Sequence, residues 1–184
     1  MKKRWIYAIA AAAGITLLGG CSDSATPAPA AQSGDTDMHG MDHGSSGAMP
    51  EGLKEAADPV YPVGSKVVIR SDHMAGMDGA EGTVTGAYDT TIYSVSYTPT
   101  DGGEPVSDHE WVIEEELRSQ TESVPDAGDT VTIEAGHMPG MKGAEATVDT
   151  AEKGVIYMVD YTPTDGGQPV TNHMWVTESE LSTE

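Results

Sequence analysis

Apolar and polar residues alternate at Val67 and Ile69 and again at Val131 and Ile133. A period of two puts alternate side chains on one face, so each stretch predicts a half-buried strand. Residues 81–85 and 145–149, each centred on Thr-Val, predict a second strand in each set. Residues 92–97 predict a third, with Tyr93, Val95 and Tyr97 on one face; its counterpart carries Tyr157, Val159 and Tyr161. Glycine-rich turns separate these strands, and His109-Glu110-Trp111-Val112 and His173-Met174-Trp175-Val176 begin a last strand. Residues 114–117 and 178–181 predict one short helical turn each.

The two sets of strands are copies. Residues 64–120 and 128–184 align without insertion, and 31 of 57 positions are identical. A repeat this long holds a full set of strands, which argues for two small domains and against a solenoid. The expected architecture is therefore all-β, with two tandem SH3-like β-barrels at 58–120 and 128–184 joined by the linker 121–127. Domains of this size are marginal alone, so the copies are expected to pack together, with Trp111 and Trp175 as core or interface residues.

The region before the repeats reads differently. Lys2, Lys3 and Arg4 followed by an apolar run to Leu18 form an export signal, and Leu18-Gly19-Gly20-Cys21 is similar to a bacterial lipobox. Residues 1–20 are thus expected to be removed and Cys21 to carry lipid, holding the protein on the outer face of the cell membrane. Residues 21–57, rich in Ser, Ala, Pro, Gly and Asp, read as a flexible stalk. Cys21 is the single cysteine, so no disulfide within the chain supports the fold.

Charge narrows the partners. The signal holds three of the nine basic residues and none of the thirty acidic ones, so the remainder has a formal charge of 6 − 30 = −24. Phosphate binding needs clustered Lys and Arg, which argues against nucleic acid. The same charge attracts cations from a distance without building a site for them.

The candidate chemistry lies in recurring His-Met clusters. His73-Met74-Ala75-Gly76-Met77 returns as His137-Met138-Pro139-Gly140-Met141, and the stalk carries Met38-His39-Gly40-Met41-Asp42-His43. Imidazole and thioether are the neutral donors that suit copper, Cu(I) above all. Glycines beside them let the backbone turn tightly enough for one loop to offer His73, Met74 and Met77, or His137, Met138 and Met141. His109, His173 and Met174 are further candidate ligands on the last strands. A structural alternative stands beside each: methionine fills cores, and a histidine next to Trp can tie down a turn. Zinc through His, Asp and Glu would leave the methionines unexplained. Nothing matches a serine nucleophile elbow, a zinc-protease helix or a phosphate loop, so no enzymatic activity is expected.

The repeated unit, with His-Met-x-Gly-Met-x-Gly-Ala, Tyr-Thr-Pro-Thr-Asp-Gly-Gly and His-x-Trp-Val, resembles the YdhK family of Gram-positive envelope lipoproteins. The resemblance implies tandem domains behind a lipid anchor. Relatives that accompany copper-resistance genes, such as the CopL lipoprotein, imply extracellular copper binding, but no ligand set comes with the resemblance. The expectation is a membrane-anchored lipoprotein that sequesters or buffers copper. The alternatives are a module binding a protein or cell-wall partner with structural Met loops, and a chaperone handing copper to an exporter.

Overall fold

The computed structural model describes residues 48–121 and 123–183. Cys21 and the stalk cluster Met38, His39, Met41 and His43 lie outside the described residues. Among the described residues nine antiparallel strands make one sheet: Lys54–Glu55 (β1), Lys66–Ile69 (β2), Glu81–Tyr97 (β3), Val106–Ile113 (β4), Leu117–Ser119 (β5), Thr130–Ile133 (β6), Glu145–Tyr161 (β7), Val170–Thr177 (β8) and Leu181–Ser182 (β9). The turns Glu114–Glu116 and Glu178–Glu180 are the expected short helical ones and are 3₁₀ in form. Among the described residues no helix is long and apolar enough to cross a membrane.

The all-β expectation holds, but the strands are longer and are shared differently. The second and third predicted strands of each repeat are one continuous strand of 17 residues, β3 and β7. No turn is needed at residues 86–91, because β3 and β7 pair with each other along their whole length and satisfy those backbone groups. The break that Gly86 signals is instead a register shift between Val84 and Gly86, a bulge that bends the strand without ending it.

The repeats therefore do not close as two separate barrels. The pairing of β3 with β7 is its own image under the repeat shift: Gly82 faces Tyr161, and the equivalent residues Ala146 and Tyr97 also face each other. The short strands cross over as well, β2 pairing with β9 and β5 with β6. One core joins Val67, Ile69, Met77 and Val84 of the first repeat to Tyr157, Val159, Val176 and Leu181 of the second. The mirror core joins Tyr93, Val95 and Val112 to Val131, Ile133, Met141 and Val148. A third cluster between them holds Ile92, Ile113, Ile156, Met158, Met174 and Trp175. The expected stalk also reaches the sheet at its end: β1 pairs with Tyr88 and Asp89, and Leu53 packs on the central cluster.

The two conspicuous motifs fit together across the repeats. Thr164 of the Pro-Thr-Asp-Gly-Gly turn donates its N–H to the Gly76 carbonyl at 2.9 Å, and Thr100 does the same to Gly140 at 2.9 Å. Gly76 and Gly140 have φ of +73° and +72°, and a Cβ there would come within 2.7 Å of Asp165 Oδ1 or 2.5 Å of Asp101 Oδ1. Glycine is thus required twice over, for its backbone conformation and for the close approach of the other repeat.

Two outcomes check this arrangement. Gly140→Ala is expected to destabilise the protein by more than Gly143→Ala, measured by urea unfolding: both positions have positive φ, but only residue 140 meets the opposing turn. The Gly143→Ala loss should be on the order of 1–3 kcal/mol from backbone strain alone, and equal losses would dissolve the clasp. Residues 128–184 made as a separate polypeptide are expected to be unfolded or to assemble as a dimer, by circular dichroism and light scattering. A folded monomer would contradict the shared cores.

Candidate metal centre

The cross-repeat topology brings histidines and glutamates together. His73 leaves β2 on the Gly-rich loop, Glu110 and Trp111 lie on β4, and Glu180 closes the 3₁₀ turn after β8 of the other repeat. His73 Nε2 lies 2.8 Å from Glu180 Oε1 and 3.2 Å from Glu110 Oε2. One donor atom from each of the three residues lies within 4.8 Å of the others, a separation that a single ion can span.

Glu180 divides its oxygens between two tasks. Oε2 accepts the Thr177 N–H at 2.7 Å, the Thr177 hydroxyl at 2.8 Å and the Trp111 indole N–H at 2.8 Å. Oε1 is left facing His73. The turn itself is held because its Glu180 carbonyl accepts the Arg70 N–H at 2.7 Å, just beyond β2. Such outer contacts fix the direction in which a carboxylate is offered.

The mirror position repeats most of this. His137 Nε2 lies 2.7 Å from Glu116 Oε1, while Glu116 Oε2 accepts the Trp175 indole N–H at 3.0 Å and the Ile113 N–H at 3.2 Å. There Met174 replaces Glu110, so a second carboxylate is missing.

His109 and His173 stand near both pairs. The His109 ring is 6.4 Å from that of His137, on the opposite repeat's loop, and His109 Nε2 is buried with no hydrogen-bond partner among the described residues. Each of the two packs edge-on against a tyrosine, His109 on Tyr97 and His173 on Tyr161. Burial, then the charges of His137 and His73, push His109 down to about 4. Burial and the same two charges push His173 down to about 4. At His73 burial opposes protonation, but the hydrogen bond and charge of Glu180, helped by Glu110, outweigh it and raise the pKa. Glu180 is held down to about 2: burial would raise it, and the His73 and Thr177 hydrogen bonds overcome this.

The methionines of the loops go elsewhere. Met77 and Met141 are fully buried, one in each lateral core, where the thioether fills space among Val, Ile and Tyr. Met74 packs beside the first core, and Met138 is exposed. The loop thus points its histidine at the carboxylates and its second methionine into the core, so the three expected donors of one loop do not meet at one point. Glu110, Glu116 and Glu180, the partners the fold supplies, are not among the ligands expected from the sequence. The repeated Glu-x-Glu-Leu at the end of each copy was the available signal for two of them.

Glu110 and Trp111 also line a groove of about 680 Å³ with Ser94 and Glu152, and Glu110 is the member of the His73 group that reaches it.

A duplicated antiparallel sheet with half-buried His–carboxylate pairs between its repeats defines the class of protein. The chain belongs to the family described as protein of unknown function (DUF1541), which matches residues 63–114 and 127–178. It is 58% identical over 142 residues to the Uncharacterized protein YdhK of Bacillus subtilis (strain 168), covering 77% of this chain and 69% of that protein. A crystal structure of that DUF1541 family protein superposes with a TM-score of 0.74 at 57% identity, over 79% of this chain and 99% of the other. The solution structure of the YdhK C-terminal domain gives 0.63 at 59% identity, over 66% of this chain and 92% of the other.

The titrations have opposite signs and predict a stability maximum. His109 and His173 are neutral when folded, so their contribution is complete above pH 6.5 and is lost as pH falls toward about 4. Glu180 adds a loss between about 4.5 and about 2. His73 acts on the other side, its contribution present below 6.5 and lost as pH rises through its raised value. Protonating the acidic surface relieves repulsion and opposes the acid loss, so the comparison is with a variant. His173→Asn should flatten the dependence of unfolding free energy between pH 6.5 and 4, measured by urea titration; an unchanged slope would remove His173 from the account.

Proposed function

We propose that this protein is a non-enzymatic, lipid-anchored extracytoplasmic protein that binds a metal cation, with copper as its cargo. The observation that carries the reading is the convergence of His73, Glu110 and Glu180, from both repeats, with donor atoms within 4.8 Å. Donors about 2.0–2.1 Å from a tetrahedral ion stand roughly 3.3 Å apart. The 2.8 and 3.2 Å separations need only to open by a few tenths of an ångström when the ion displaces the proton between them.

One imidazole and two carboxylates suit Cu(II) or Zn(II) better than Cu(I). This shifts the favoured oxidation state from the one the methionines imply, because Met77 and Met141 fill cores. The acidic surface concentrates cations around the molecule, and the stalk stretch from Met38 to His43 adds softer donors in the same chain. Sequestering or buffering copper outside the membrane is the role these features support.

A Cu(II) titration against a competing chelator tests it, using the mature chain with Met38, His39, Met41 and His43 changed to Ala so that the stalk does not mask the site. Glu110→Gln should weaken binding at least about tenfold, the equivalent of about 1.4 kcal/mol. Met77→Leu and Met141→Leu should leave it unchanged and cost less than about 1.5 kcal/mol in stability each, as volume-conserving core changes do. Binding indifferent to Glu110→Gln would sink the site.

A further inference from the structure

The two halves of this duplicated molecule are not equivalent around their His–Glu pairs. On β3 and β4, Ser94 pairs with Glu110 in register. At the matching place on β7 and β8, Met158 pairs with Met174. Both methionines are buried, in a cluster with Trp175 and Leu53. A third difference falls beside them. Tyr88 meets the Trp175 ring edge-on, with centroids 6.0 Å apart, whereas the equivalent residue next to Trp111 is Glu152, which lines the groove.

The consequence is one open half and one closed half. The groove of about 680 Å³ reaches Glu110, Trp111 and the exposed Glu152, with Ser94 buried at its floor and its hydroxyl 2.9 Å from that of Thr150. The side chains of His73 and Glu180 are 16% and 14% exposed, against 10% and 4% for the equivalent His137 and Glu116, and Glu110, which the other half lacks, is 36% exposed. On the closed side, thioethers and the Tyr88 ring occupy the corresponding space, and Glu116 is left as a buried anchor for His137, Trp175 and Ile113.

We propose that only the half carrying Glu110 exchanges metal, and that Glu110 and Glu152, where the other half has Met174 and Tyr88, are the residues that make it so. This rests on the metal reading of the His73 group. A hydrated divalent cation enters along the groove, exchanges water for His73, Glu110 and Glu180, and keeps water in its remaining position, the arrangement of an open rather than a structural site. The His137–Glu116 pair, lacking a third donor and a path, holds the repeats together and stays empty of metal.

Equilibrium dialysis with Zn(II) as a redox-inert probe tests this on the mature chain with the four stalk donors changed to Ala. The wild-type repeats should bind one ion per chain, and Glu110→Met should lower affinity at least tenfold. Glu152→Tyr keeps all three donors and sets over the groove the ring that Tyr88 supplies on the closed side, so it should still bind one ion but release it into excess EDTA at least tenfold more slowly. Met158→Ser with Met174→Glu should raise the count to two; if that pair of changes prevents folding, Glu152→Tyr and Glu110→Met decide. Two ions per wild-type chain, or Glu152→Tyr releasing metal as fast as wild type, would overturn the inequivalence while leaving the His73 site standing. No ion bound by the wild type would overturn both.

Discussion

The structure depends on the antiparallel pairing of β3 with β7. Because that ladder maps onto itself when the repeats are exchanged, each face of it must be completed by strands from both copies. The crossed pairing of β2 with β9 and of β5 with β6 follows, since each short strand extends the edge that the long pair leaves open. The shared cores, the reciprocal docking of Gly76 and Gly140 on opposing turns, and the two His–Glu pairs are all instances of this exchange. Each contact comes twice, and each joins one copy to the other.

The geometry of Glu180 shows how a fold of this kind prepares a polar group. A half-buried carboxylate still needs partners, and donors from Thr177 and Trp111 supply them at a single oxygen. The other oxygen is thereby directed at His73 without freedom to turn away. The group is both a fastening between repeats and a ligand held in position, and the same contacts serve both ends.

Much of the fold was legible in the sequence because alternation, turns and duplication are local signals. Val67, Ile69 and the Tyr93, Val95, Tyr97 face are buried as their spacing predicts, and the Glu114–Glu116 and Glu178–Glu180 turns form where expected. The exchange between repeats was not legible, since identical halves carry no mark of whether a strand pairs within its own copy or with the other. That ambiguity also hid the site. His73 was found from its loop, but its carboxylate partners come from β4 and from a turn in the second repeat. The methionines misled for a physical reason: the side chain that offers a soft donor is also a flexible core filler, and Met77 and Met141 are spent on the core.

The single-chain form of this duplication has a consequence of its own. Were the same architecture assembled from two identical polypeptides, any substitution would be written into both halves at once, and a residue useful on one side would have to be tolerable on the other. Joining the copies by the short stretch after Ser119 removes that coupling. Positions 110 and 174 can then differ, a carboxylate facing water in one and a thioether sealed in the other, while the long ladder between them stays symmetric. A molecule with two like sides thereby acquires a front and a back.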